Sequence, residues 1–461
     1  MKKKHLVLAA LLFSVLLSAC GMKSALNPES PVTITIWHNF GGQMQATMDE
    51  QIEEFNATVG KEEGVVASVT SISSTAALQE KLTMIAAGDP GAPDMPDITT
   101  SYPATAILLA DKGILTPMGG YFSDEELADY LPQFLEEGRL LDGKLYVFPF
   151  AKSTEALFLN QTLFERFSSA TGVTVDSLTT FEGIFEASIR YYHWTDEQTP
   201  DIANDGKAFY TADSFFNLAQ VGAQQIGSSL FAGEKLQLNT DEFERIWNNI
   251  FEAAVKGGFA IYDGYSSDLS KTGDILCSTG STAGILFYGD EITYPNNAKE
   301  AVEYAILPYP TFEGGKTIAM QRGSGLIVAK STPEKEEAAT LFLKWFTAPE
   351  QNMRFVASTG YLPVTGRAFA EQTELQISEN SNPNIQKLLR MAITVYEEYD
   401  FYIPPVFDEF NTISGSFEAG FLSIAAQRRQ QYLENLNTME PDLAYEKAEK
   451  GALKEFIAGR Q

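Results

Sequence analysis

The chain has 461 residues, with 33 Lys and Arg against 61 Asp and Glu, and so a formal charge of −28 at pH 7. So acidic a surface disfavours nucleic acid and anionic lipid headgroups as partners, and it bears on solubility rather than on fold. The length suggests two or three domain-sized units, and 31 Phe and 19 Tyr supply material for a core and for a ligand pocket.

Lys2, Lys3 and Lys4 open the chain, and Leu6 to Leu17 is apolar apart from Ser14. A bilayer-spanning helix needs about 20 apolar residues, so this run is too short and reads as a secretory h-region. Leu17-Ser18-Ala19-Cys20 closes it and resembles the bacterial lipobox, in which the cysteine is lipidated and becomes the new N-terminus. Residues 1–19 are then a lipoprotein signal peptide and 20–30 a linker anchored to the membrane at Cys20. One acyl chain holds a protein only marginally, so a multiply acylated Cys20 makes the durable tether. Gly21 to Pro31 is expected to be a flexible spacer reaching at most about 35 Å. Cys277 is the only other cysteine and has no disulfide partner within the chain once Cys20 is acylated.

The remainder alternates strand and helix. In "VTITIWH" the β-branched Val32, Ile34 and Ile36 alternate with Thr33 and Thr35, the period of a strand. Asn39-Phe40-Gly41-Gly42 turns into a helix whose Met44, Met48, Ile52 and Phe55 share one face. A second strand is expected near Val65–Ile72 and a second helix over Thr75–Ala87, carrying Leu78, Leu82 and Ile85. Ile98–Ser101 reads as a third strand and Ala104–Lys112 as its helix, stopped by Gly113. This order predicts α/β structure with a mostly parallel sheet. "LLDGKLYVFPF" predicts a hairpin turning at Asp142-Gly143, and Phe150 to Thr154 a passage between lobes. Val173 to Tyr304 is more helical and aromatic-rich, and strands return in "ILPYPTFEGGKTIAMQRGSGLIVAK". Ser331-Thr332-Pro333-Glu334 starts a helix with proline at its first position, placing Ala338, Leu341 and Trp345 on one side. From Asn382 the chain reads as helical, broken at Pro404-Pro405.

Catalytic readings fail locally. "EGGKTI" lacks the phosphate-loop glycine, having Pro310 in its place. "GSTAG" puts Thr282 where a nucleophile-elbow serine belongs. A calcium loop near Asp201 to Gly206 would need oxygen ligands at Ala203 and Ala212. Only His38 and His193 follow the leader, a poor supply for a metal cluster or a triad. Paired carboxylates across a cleft stay open, because 61 acidic residues offer many. Runs such as Asp124-Glu125-Glu126 and Glu334 to Glu337 fall where solvated helix starts are expected.

"ITIWHNFGGQMQATMDEQIEEFN", "PFAKSTEALFLNQTLF" and "AATLFLKWFTAPEQNMRFVASTGYLPV" together resemble the extracellular solute-binding proteins of bacterial ABC importers, family 1, over Val32 to Val364. The resemblance implies a two-lobed periplasmic-binding-protein-like fold of type II, with a ligand cleft between lobes joined by hinge crossovers. It implies lobes at 31–150 with 324–357 and at 151–322 with 361–461. It further implies closure on a solute, no catalysis, no cofactor or metal, and delivery to a membrane permease with a cytoplasmic ATPase. The protein would be a monomer held at the outer face of the cytoplasmic membrane.

Carried over residue by residue, the cleft would hold Asn39 and Gln43 after the first strand, although Asn39 alternatively caps the helix. Tyr102 would offer a ring to a sugar face or belong to the core. Ser153 and Thr154 lie by the first crossover. Phe215, Phe216 and Asn217 fall at an aromatic platform, although adjacent phenylalanines suit a core. Ser278, Thr279 and Ser281 offer hydroxyls, Gly323-Ser324 lets backbone approach ligand, and Arg322 holds an anion or is a surface charge. "WHNFGGQM" resembles the glycerol phosphate branch, yet "FYIPPVFDEF" lacks that branch's phosphate-holding arginine. The predominance of aromatics and neutral hydroxyls favours a carbohydrate. A lipid-anchored glycosidase and a sensor or adhesion lipoprotein are the rival readings.

Overall fold

The computed structural model describes residues 24–380 and 382–460. The leader and Cys20 lie outside the described residues. Strand β1 (Val32–His38) buries Ile34 and Ile36 while Thr33 and Thr35 face solvent, as its alternation requires. Parallel to it run β2 (Val65–Ser71) and β3 (Ile98–Ser101). Helices α1 (Gly42–Ala57), α2 (Thr75–Ala87) and α3 (Pro103–Asp111) follow these strands in turn, the crossover arrangement parallel pairing demands. The Asp142-Gly143 turn joins two antiparallel pairs of residues, and β4 (Phe148–Pro149) reaches the edge of the sheet.

The chain then enters a second sheet. Strand β5 (Glu155–Asn160) is buried along its whole length, as suits a central strand. With β6 (Tyr210–Ala212), β7 (Cys277–Ser281) and β8 (Tyr304–Pro308) it forms the order β8-β5-β7-β6. Two strands lead back. β9 (Ile318–Met320) pairs parallel with a late strand, β11 (Asp400–Tyr402), and β10 (Gly325–Val328) inserts antiparallel between β3 and β4. The first sheet is thus β2-β1-β3-β10-β4. Helix α4 (Phe215–Gln225) belongs to the second lobe, and α5 (Pro333–Phe346) and α6 (Pro349–Thr359) follow β10. After them come α7 (Pro383–Glu398) and α8 (Phe410–Leu436), with Pro404-Pro405 in the gap.

Two lobes follow from separate cores. The first sheet is covered on one face by Ile34, Phe55, Phe342 and Phe355, and on the other by Leu78, Leu109 and Ile327. The second gathers Phe158, Phe181, Phe216, Trp247 and Phe417. Helix α6 serves both: Phe355 enters the first core, Met353 and Val356 the second. In α5 the buried stripe is Ala338, Ala339, Phe342, Leu343 and Phe346, so Leu341 and Trp345 are only half-buried at its margin. The expected flexible spacer is fixed from Ser24 onward, because Glu337 of α5 accepts hydrogen bonds from Ser24 Oγ and the Ala25 amide, each 2.8 Å. No described helix is long and apolar enough to cross a membrane.

Candidate functional site

Three chain passages run side by side where the lobes meet. Ser153 and Arg322 exchange backbone hydrogen bonds of 2.9 and 2.7 Å, and the Leu362 amide donates to the Lys152 carbonyl at 2.6 Å. Gly323 is required by geometry: its φ is +90°, and an added Cβ would lie 2.2 Å from the Ala151 carbonyl oxygen. The Lys152 ammonium, nearly inaccessible, donates to the Gly323 carbonyl at 2.9 Å and pairs with Glu137. Gln321 Nε2 reaches the same Glu137 carboxylate at 2.7 Å. The crossovers are thereby fastened to the first lobe's short helix Pro132–Glu137.

Against them opens a cavity of about 320 Å³. The first lobe lines it with Thr75, Gln79, Tyr102 and Glu137, the second with Asn217, Phe410 and Asn411. Gln321, Arg322 and Gly323 form its floor beside Pro404, Pro405 and Val406. Arg322 donates to Glu155 Oε1 at 3.0 Å, and Asn217 Nδ2 donates to the same oxygen at 2.9 Å. Burial raises the Glu155 carboxyl above its ordinary range, with Arg322 and Asn217 opposing. Burial also works against the Arg322 charge, but Glu155, Tyr102 and Asp213 more than offset it and the guanidinium is held more firmly protonated.

The structure therefore brings Tyr102, Asn217, Arg322 and Gly323 to one cavity. Asn39 and Ser324 line a small recess beside it with Thr100 and Ser101. There Asn39 donates to Thr75 Oγ1 at 2.7 Å and accepts from Thr100 Oγ1 at 3.0 Å, tying strand ends to α2. It does not cap α1, whose N-cap is Gly41 without a side-chain bond. Gln43 is exposed, with one 3.5 Å contact to Thr47. Ser153 and Thr154 are buried; Thr154 Oγ1 donates to the Met320 carbonyl, and Ser153 Oγ accepts from Ser281 Oγ. Ser278 and Thr279 are spent within the second lobe on Tyr288 and Tyr210.

Phe215 and Phe216 point away from the cavity into the core, against Phe417 and Phe421. The backbone explains this. The N-terminus of α4 is closed by Glu418 of α8, which accepts from Ser214 Oγ at 2.5 Å and from the Phe216 amide at 2.8 Å. That leaves Asn217, one residue on, as the side chain turned to the cavity. Missed by sequence reasoning were Thr75, Gln79, Glu137, Gln321 and the Pro404–Asn411 segment. Pro404-Pro405 reads locally as a helix break, and the resemblance singles out "FYIPPVFDEF" only by the arginine it lacks, so none of its own residues was expected at the cavity. Among the described residues no three His, Cys, Asp or Glu are grouped to hold a metal ion.

Two α/β lobes joined by adjacent crossovers, with a polar cavity at the junction, define a bilobed solute-binding protein. Residues 50–381 match the family model described as bacterial extracellular solute-binding protein, and the chain belongs to that family. It is an exported, non-catalytic, substrate-binding component of an ABC importer. The sn-glycerol-3-phosphate-binding periplasmic protein UgpB of Rhizobium meliloti (strain 1021) is 23% identical over 383 residues, 80% of this chain and 83% of its own. Its namesake in Brucella abortus (strain 2308) is 22% identical over 395 residues, 82% and 85% of the two chains. The cyclic alpha-maltosyl-1,6-maltose binding protein of Arthrobacter globiformis superposes with a TM-score of 0.68 at 18% identity, covering 93% of this chain and 99% of that one. UgpB of Mycobacterium tuberculosis, in complex with glycerophosphocholine, gives the same TM-score, identity and coverage. These structures share the fold.

Proposed function

We propose that the cargo is a neutral polyhydroxylated solute, a carbohydrate of mono- or disaccharide size, captured between Tyr102 and the Asn217, Arg322 and Gly323 side of the cavity. The observation that carries this reading is that Arg322, the one arginine lining the cavity, already has its charge countered by Glu155. Lys152 is likewise matched by Glu137, and the exposed Asp213 adds a further negative charge nearby. Like charges 4 Å apart near a protein surface repel by about 4 kcal/mol at an effective dielectric of 20, so a phosphate dianion meets an unfavourable wall. A sugar meets none. Its CH face packs on the Tyr102 ring, and its hydroxyls take bonds from Asn217 and from Arg322 donors not used by Glu155. A cavity of about 320 Å³ is at the small end of ligand sites.

The lobes are 31–150 with 324–357 and 151–322 with 361–461, closing because the closed form touches ligand from both sides. Cys20, at the end of the lipobox, carries the acyl anchor to the outer face of the cytoplasmic membrane, and the protein works there as a monomer. Asn39, Ser153, Thr154, Ser281 and Ser324 shape the cavity from behind.

The relatives named for glycerol phosphate support a second reading, a phosphorylated polyol held by Arg322. Calorimetry on the Cys20→Ala chain decides between them, with mono- and disaccharides, polyols, glycerol phosphates and glycerophosphocholine. Ligand at 100 times its Kd stabilises by about 2.7 kcal/mol, so a melting scan suffices to find hits. A saccharide or polyol hit is expected. Binding confined to phosphate esters would overturn the neutral-cargo reading.

A further inference from the structure

We infer that Ser24–Ser30 is a strap docked on the first lobe, which holds that lobe's outer pole toward the membrane and the cleft away from it. The inference rests on the reading of Cys20 as the lipid anchor; the strap itself is observable without it. Both oxygens of Glu337 are engaged, Oε1 by Ser24 Oγ and Oε2 by the Ala25 amide, the charge-assisted bonds that hold best at a surface. Leu26 packs against the first core. Asn27 turns the chain by accepting from the Ser30 amide at 2.9 Å and from Glu29 through its side chain at 3.0 Å. Its carbonyl presses so close to Gly64, at φ +78°, that a Cβ there would lie 2.5 Å away. A glycine at this αL position both ends the helix before β2 and admits the strap.

The strap meets the sheet at the N-terminal end of β1, whereas the cavity lies beyond the C-terminal end of β3, where Tyr102 follows, and its neighbouring recess beyond that of β1, where Asn39 follows. Seven residues of β1 separate pole from cleft by about 23 Å at ~3.3 Å per residue. From Cys20 to Ser24 the chain spans at most about 13 Å; released as far as Pro31 it would span about 36 Å. The docked tether is therefore too short to let the cleft face the membrane, and the released one is long enough.

Acylated chain in vesicles tests this. A fluorophore on Glu62→Cys marks the pole and one on Gln43→Cys the cleft rim; Cys277 is buried and Cys20 is blocked. Energy transfer to a headgroup acceptor should be greater from Glu62→Cys, and Glu337→Ala should narrow the difference. Equal transfer from the two positions, or a difference indifferent to Glu337→Ala, would overturn the orientation. In the unanchored Cys20→Ala chain the Ala25 amide should be protected from hydrogen exchange and exchange about tenfold faster on Glu337→Ala. An unprotected amide would overturn the strap, whereas vesicle binding that persists in the Cys20→Ala chain without residues 1–19 would overturn the anchor alone.

Discussion

At the scale of single residues, the second strand-end residue in "WHN" works for position rather than for ligand. His38 is fully buried and accepts the Phe40 amide on Nδ1 at 3.2 Å, while its Nε2 has no hydrogen-bond partner and Asp49 stands 3.9 Å away. Burial lowers its pKa below the ordinary 6.5, with Asp49 opposing. A lowered folded value means that the unfolded chain binds the proton first, so stability is lost as pH falls through 6.5 toward the folded value. Replacing His38 by Gln keeps an acceptor and removes the titration; the drop in melting temperature on mild acidification should be shallower in the variant. On the neutral-cargo proposal, Glu155 is the residue that turns anions away, by pairing with Arg322. Glu155→Gln removes the carboxylate paired with Arg322 and leaves Asp213 as the remaining carboxylate beside it, and affinity for glycerol phosphate should rise at least about tenfold, roughly 1.4 kcal/mol, by calorimetry. Which polar residues face the cavity was only half legible in the sequence. Tyr102 follows from where the third strand ends, whereas Asn217, in the first turn of α4, and Arg322 come from the family resemblance. The hydroxyls of Thr154, Ser278 and Thr279 carry no local mark that neighbouring groups such as Met320 O, Tyr288 and Tyr210 have already taken them.

At the scale of elements, strong periodicity translated directly. Helix α2 spans the expected Thr75–Ala87, and Met48, Ile52 and Phe55 form the buried face of α1. Helix α5 shows the limit: its apolar residues run almost all round, so Leu341 and Trp345 compete with Phe342 and Phe346 for the core. Its packing against β1, α1 and α6 decides, a contact no window of sequence contains. The crossovers are the least legible elements, since their conformation depends on each other. Gly323→Ala should reveal this dependence. Its Cβ meets backbone rather than a yielding side chain, and the αL strain alone costs about 1–3 kcal/mol. A loss of that size or larger in chemical denaturation is expected, with weaker ligand binding because Arg322 is displaced with its neighbour.

At the scale of the whole molecule, Lys152 and Glu137 join crossover to lobe. Removing one partner of a buried pair leaves an uncompensated charge and costs about 3–5 kcal/mol; Glu137→Gln strands the more deeply buried Lys152, whereas Lys152→Met leaves Glu137 with its bond from Gln321, so Glu137→Gln should be the more damaging change, by equilibrium unfolding. The α/β class was legible from the strands and helices that alternate over the first part of the chain, and the two-lobed plan through the family resemblance. The return of β10 to the first sheet was legible only through the family resemblance, since nothing in "GLIV" names its neighbours. That return has a consequence for biosynthesis. β3 and β4 find their shared partner only after every strand of the second sheet has been made. Until then the first sheet keeps open edges, the kind of surface that pairs wrongly with other chains. The lobe that leaves the ribosome first is the last to close its sheet, so a chain crossing a membrane unfolded sacrifices no finished domain on the way.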